Sequence, residues 1–135
     1  MRPAADGTWM VDWTPDPEPP PVTTIAWRMI HIGLVLGPRA AHHFGGGAPS
    51  LDNLDWPGTA AAGVDWVTRG HREWRDGLSS LADADLDEVR PGPPGTIDGQ
   101  MAFGRAISWV NLEVIHHGAE IGCLRDLYRA GRPDD

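Results

Sequence analysis

The segment from Asn111 to Tyr128 constrains this chain most. It has the best helical pattern in the sequence, yet it carries metal-competent polar side chains where a core helix should be apolar. Glu113 and His117 are four residues apart, so on a helix they share a face with Cβ atoms about 5–6 Å apart. That separation suits two ligands of one metal ion. Glu120 continues the face one turn further on. A buried carboxylate on a packed helix is costly without a partner, so this segment demands one.

Composition narrows the classes of function. With 135 residues the chain is long enough for one domain with a single core. Its cations are 11 Arg and no Lys, against 19 acidic residues, and no basic cluster stands out. Nucleic acid is thereby excluded as an expected partner, because phosphate contacts need concentrated cationic side chains. The single cysteine, Cys123, forms no intramolecular disulfide and fits a reducing interior. The N-terminus lacks the apolar run of a signal peptide, and no stretch approaches membrane-spanning length. The expectation is a soluble, cytoplasmic protein with no membrane partner. Thirteen Pro and 17 Gly require long irregular connections.

The organisation expected is an extended Trp/Pro-rich arm over residues 1–22, a helical domain over 23–131 and a short tail over 132–135. In the arm, Asp6-Gly7 is a turn dipeptide, Thr8 to Trp13 suit a short strand, and the Pro-rich run from Pro15 to Pro21 suits a stiff polyproline-like rod. The first helix is expected from about Thr24 to about Phe44, capped by Thr23 or Thr24, kinked by Pro38 and ended by Gly45-Gly46-Gly47. Leu51, Leu54 and Trp56 should pack down from the following loop. A second helix should begin near Pro57 or Thr59 and run to about Leu81, with Asp55 as its cap. Val64, Val67, His71, Trp74 and Leu78 form its predicted inward stripe, weakened by Gly63, Gly70 and Gly77. An acidic loop from Ala82 to Asp98 leads to the last helix, expected from about Gly99 to Ala130 with Asp98 as cap. Three helices with long connections indicate an all-α, bundle-like fold.

His31 lies between Ile30 and Ile32 in the first helix's apolar middle. Alone it would be a core histidine satisfied by one hydrogen bond. A cation shared with Glu113 and His117 would remove the cost of burying the carboxylate, and His31 is the natural third ligand.

These residues carry a resemblance. The run from Thr23 to His31, taken with Glu113 to Tyr128, resembles the DinB/YfiT-like superfamily, in particular small actinobacterial DinB-like proteins. The resemblance covers most of the chain from Val22 onward. It implies a four-helix bundle holding a divalent metal, Zn or Ni, on three side chains. One ligand comes from the helix matching residues 24–44 and two come from the last helix at i and i+4. Carried over, the ligands fall on His31, Glu113 and His117, and Glu113 departs from the histidine that many relatives have there. Relatives include thiol transferases that use bacillithiol or mycothiol. The resemblance therefore implies a metal-dependent transferase or hydrolase of a small molecule, with a low-molecular-weight thiol such as mycothiol as cofactor. A non-catalytic bundle that binds a small molecule or self-associates is the alternative. Such proteins usually have a helix before the Trp-rich segment. The chain starts downstream of that position, so either a longer gene product or a homodimer partner is expected to cover the open face.

Other residues divide between roles. Glu120 is the one nearby candidate for a catalytic base; it could equally orient His117 or Arg125, or pair with an Arg at the surface. His116 is expected to pack or to support the site rather than ligate. His42 and His43 suit the helix C-terminus electrostatically. His71 is expected inside, Cys123 as a buried small hydrophobe, and Arg125-Asp126 as a structural pair. Trp27, Trp66, Trp74 and Trp109 are core candidates, or walls of a ligand pocket.

Overall fold

The computed structural model describes residues 2–11, 23–47, 50 and 54–131. The Pro-rich run, Trp13, Leu51 and the tail lie outside the described residues. An N-terminal hairpin pairs β1 (Arg2–Pro3) with β2 (Trp9–Met10), and Gly7 takes φ +85° in its turn. Three helices follow: α1 (Ile25–Phe44), α2 (Ala60–Leu78) and α3 (Phe103–Ala130). The fold is all-α apart from this hairpin, as the helical patterns predict. No described helix is long and apolar enough to cross a membrane.

Helix α1 is the central element and packs on both α2 and α3. Thr24 caps it, its Oγ1 accepting from Trp27 N at 3.1 Å, and the helix continues through Pro38. It ends where Gly46 and Gly47 take φ of +92° and +138°, values that side chains bearing a Cβ rarely adopt. Its buried residues Ile32, Val35, Leu36 and Ala40 form one core with Trp74 of α2 and Phe103, Ala106 and Val110 of α3.

Helix α2 departs from the sequence expectation at both ends and in its inward face. Its cap is Thr59, whose Oγ1 accepts from Ala62 N, and not Asp55. The preceding residues stay irregular because Trp56 packs on Trp66 at 6.1 Å and Trp9 lies against Gly58. The helix stops at Leu78, where the hydroxyls of Ser79 and Ser80 donate to the carbonyls of Arg75 and Gly77. Val67, Trp74 and Leu78 face the core as expected, but Val64 and His71 are exposed and Gly63 and Gly70 are buried in their place. The glycines explain the rotation. A methyl group at Gly70 would stand 3.2 Å from the backbone of Gly37, and one at Gly33 would stand 1.9 Å from Trp66 Nε1. Small residues thus bring the backbones together, and glycine carries no apolar signal for a periodicity to register.

Helix α3 starts at Phe103 rather than near Gly99, and Asp98 does not cap it. The Asp98 carboxylate is 2% exposed and accepts from Arg39 Nε at 2.8 Å and from Arg39 Nη2 at 3.1 Å. That buried bidentate pair holds Asp98 in a separate turn of 3₁₀ helix, Asp98–Gln100. Glu88 O instead accepts from Phe103 N at 2.7 Å, tying the acidic loop to the helix start. Arg90 of that loop pairs with Asp85 and Glu88 and covers the Phe103 ring.

The two histidines at the end of α1 have different surroundings. His42 Nε2 donates to Pro91 O at 2.9 Å. The His43 side chain is 4% exposed, packs on Phe103 at 4.7 Å, and leaves Nε2 without a hydrogen-bond partner among the described residues, 3.9 Å from Asp98 Oδ2. His43 is therefore a core residue and not simply a cation at a helix end.

Helices α1 and α3 run antiparallel, since Phe103 lies by His43 at one end and Glu120 by Arg28 at the other. The last turns of α3 thus pass beyond the start of α1. Cys123, Arg125 and Asp126 are exposed there, contrary to the expected buried cysteine and structural pair, because no other described element lies opposite them. Leu112, Ile115, Leu127 and Tyr128 are also exposed.

Two predictions follow from this packing. Replacing Asp98 by Asn strips a buried guanidinium of its counter-charge, which should cost about 3–5 kcal/mol and lower the urea midpoint of unfolding strongly. The second concerns His43. Burial holds its imidazole below the ordinary histidine value, and like charges on His42, Arg39 and Arg90 reinforce this while Asp98 opposes it. With a depressed folded pKa, the unfolded chain takes up the proton first. This contribution to stability is complete above the unfolded value of about 6.5 and is lost as the pH falls through the folded one. Thermal midpoints measured from pH 7 to pH 5 should therefore fall less steeply in His43→Leu than in the parent; equal slopes would refute the assignment.

Candidate metal centre

The antiparallel contact of α1 with α3 places three polar side chains between the helices. His31 comes from the middle of α1, where the apolar stripe turns from the core toward α3. Glu113 and His117 come from adjacent turns of α3. His31 Nε2 lies 3.1 Å from Glu113 Oε2, and His117 Nε2 lies 3.4 Å from the same oxygen. One donor atom from each residue can be chosen so that all lie within 4.8 Å of one another. Their side chains are 24%, 22% and 12% exposed, so the group is half-buried and open to solvent on one side. The structure thus brings His31 together with Glu113 and His117.

Glu120 sits beside this trio. Its Oε2 lies 2.7 Å from His117 Nδ1 and accepts from Arg28 Nε at 2.7 Å. Arg28 also donates to Thr23 O, anchoring the guanidinium at the start of α1. Hydrogen bonds from Arg28 and then from His117 lower the Glu120 carboxyl to a pKa of about 2. Such a group holds its charge at neutral pH and is poorly matched to carrying a proton. Burial depresses the His31 pKa, opposed by the hydrogen bond with Glu113.

Aromatic rings complete the walls. Trp27 stacks on His31 at 5.1 Å with 7° between the planes and meets His117 edge-on at 6.1 Å. His31 and His117 are themselves edge-on at 4.6 Å. His116 stacks on His117 at 4.5 Å, but its side chain is 62% exposed, with Nε2 3.5 Å from Glu120 Oε1.

The donor chemistry fits a cation. A proton on His117 Nδ1 is the one Glu120 can accept, and this leaves the Nε2 lone pair facing a carboxylate oxygen at 3.4 Å. Two lone pairs at that distance call for a second proton on the ring or a cation between them. Two imidazole nitrogens and one carboxylate oxygen are ligands that Zn and Ni accept.

Arg28 escaped the reading of the sequence. Its signal was slight: a cation inside an apolar helical stretch, one turn before His31. Arg39 with Asp98 escaped it too, since an Asp before a helix looks locally like a cap.

The sequence model of the DinB superfamily matches residues 10–121, a span that includes α1, α2, His31, Glu113, His117 and Glu120. No curated protein and no solved structure matches the chain.

The opposing influences on His31 can be separated in protein stripped of divalent ions by a chelator. Replacing Glu113 by Gln removes the charge and weakens the hydrogen bond that favour the imidazolium, so the His31 pKa should move further down. An NMR titration that left it in place or moved it up would contradict this geometry.

Proposed function

The chain belongs to the DinB superfamily, whose members generally bind metal, and on that premise we propose that His31, Glu113 and His117 hold a divalent cation, Zn or Ni. One observation carries this reading: imidazole nitrogens from two helices converge on the same oxygen of Glu113. Three protein ligands leave positions for water or substrate, the pattern of catalytic rather than structural sites. A cation there would supply the Lewis acidity that ionises a water or a thiol at neutral pH.

The chain's own residues supply the rest. His31 and His117 offer neutral nitrogen donors, and Glu113 offers the negative charge. Trp27 shields one side of His31 and presents an aromatic wall to a small molecule entering from solvent. Glu120, engaged by Arg28 and His117, orients the site rather than moving protons. The activity that these features support best is a metal-dependent transferase or hydrolase acting on a small molecule, with a low-molecular-weight thiol such as mycothiol as the co-substrate class.

Elemental analysis of protein purified without added metal or metal-affinity resin tests the premise. About one Zn or Ni per chain is expected, falling at least tenfold in His31→Ala and in His117→Ala. No stoichiometric metal in the parent, together with unchanged folding of both variants, would leave a bundle without a metal centre and end this reading.

A further inference from the structure

Five features outside the three ligands compete for a role: the exposed row on α3, the cleft bounded by Trp9, Trp56 and Trp66, the buried His43, the second His/Glu group on α3, and the Arg28–Glu120 pair. Nothing among the described residues indicates what covers the row or fills the cleft. His43 is explained by the core. The remaining two share one carboxylate, and their geometry decides between them.

His116, His117 and Glu120 can present donor atoms within 4.8 Å, which suggests a second cation site on α3. Arg28 argues against it. Its guanidinium, with its side chain 10% exposed, already occupies Glu120 Oε2 at 2.7 Å, and a metal ion beside it would meet like charge. The same oxygen is 2.7 Å from His117 Nδ1, whereas His116 is largely exposed and stands 3.5 Å from the other oxygen. The order is therefore Arg28, Glu120, His117, with the far side of the His117 ring turned to Glu113. A carboxylate on the second nitrogen of a ligating histidine fixes the tautomer and ring orientation and raises ligand basicity.

We infer that Arg28 and Glu120 are positioning residues for the metal centre: Arg28, tied to the start of α1, holds the Glu120 carboxylate where it orients His117 through Nδ1–H, so that Nε2 faces the cation. This rests on the metal reading above. It adds a dependence that the three ligands do not imply, because the conformation of the start of α1 now bears on metal affinity. Arg28 lies one turn before His31 and Thr23 just precedes α1, so displacing the start of that helix would loosen a ligand on the opposite helix. His116 is left as an exposed neighbour without a ligand role.

The test is the affinity for Zn, measured by competition with a chromophoric chelator, in the parent and in Glu120→Gln, Glu120→Ala, Arg28→Gln and His116→Ala. Loss of a supporting carboxylate at a histidine ligand typically weakens metal binding by about 10- to 100-fold. That range is expected for Glu120→Ala, with smaller losses for Glu120→Gln, whose amide oxygen can still accept, and for Arg28→Gln. His116→Ala should change affinity less than about twofold. In metal-free protein, ¹⁵N spectra should show His117 protonated on Nδ1 in the parent, with this preference reduced in Glu120→Ala; a merely structural role for Glu120 would leave the tautomer alone. Should Glu120→Ala fail to fold, the nearly isosteric Glu120→Gln supplies both readouts. Unchanged affinity and tautomer in the Glu120 variants would overturn the inference and leave the metal site standing. A parent that binds no Zn would instead remove the site and the inference with it. A loss in His116→Ala as large as in Glu120→Ala would put the cation on the other group and refute the assignment.

Discussion

Charges placed in the seam between α1 and α3 must find their partners across it, and this requirement fixes how the two helices lie. Arg28 meets Glu120, His31 meets Glu113, and Arg39 meets Asp98 just before α3. Along α1 the positions ascend as those of their partners descend, which is antiparallel packing expressed in polar pairs. A slip of one turn would strand these groups together, and for the buried Arg39–Asp98 pair that alone costs about 3–5 kcal/mol. Apolar packing alone would tolerate more slippage, since Ile, Val and Leu exchange neighbours at lower cost. The polar seam specifies the register, and the apolar core supplies most of the driving force.

This division accounts for what was legible in the amino-acid order. The limits of α1 were readable because a threonine hydroxyl and a run of glycines are local signals. The pairing of Glu113 with His117 was readable because it depends only on helical spacing. His31 could be reached because it is the one histidine in the apolar middle of its helix. On α2, Val67, Trp74 and Leu78 were readable as inward, but Val64 and His71 were misplaced because the closest approach to α1 is made by glycines. Asp98 was misassigned because a helix cap and a buried ion pair share the same local pattern and differ only in where Arg39 lies. Cys123 was misplaced because burial depends on what stands opposite, and α3 outruns α1 at that point.

The same seam contains two polar groups with opposite characters. Near Asp98 the pair is almost fully enclosed, bidentate, and capped by the Trp109 ring 4.9 Å from Arg39 Cζ. It is suited to holding the start of α3 and leaves no room for exchange. The group at His31 is half-open, with His31 Nε2 at 3.1 Å and His117 Nε2 at 3.4 Å from one oxygen of Glu113. Structural polar networks tend toward complete satisfaction. The half-open group, and not the enclosed one, is where the proposed ligand has access.

A carboxylate at Glu113, rather than a third imidazole, sets the electrostatics of the proposed centre. Glu113 and Glu120 contribute two negative charges and Arg28 one positive, with His31 and His117 neutral when they act as ligands. The protein groups therefore sum to −1, and a divalent cation brings the total to +1. One ionised thiol or one hydroxide would neutralise it. With histidine at position 113 the groups would sum to zero and the occupied site to +2, favouring an anion more strongly but the cation less. The carboxylate would thus move a cation held there toward firmer retention and weaken its hold on an anion. For a centre whose outer side is open to water, that balance would favour keeping a bound metal over keeping an anion bound to it.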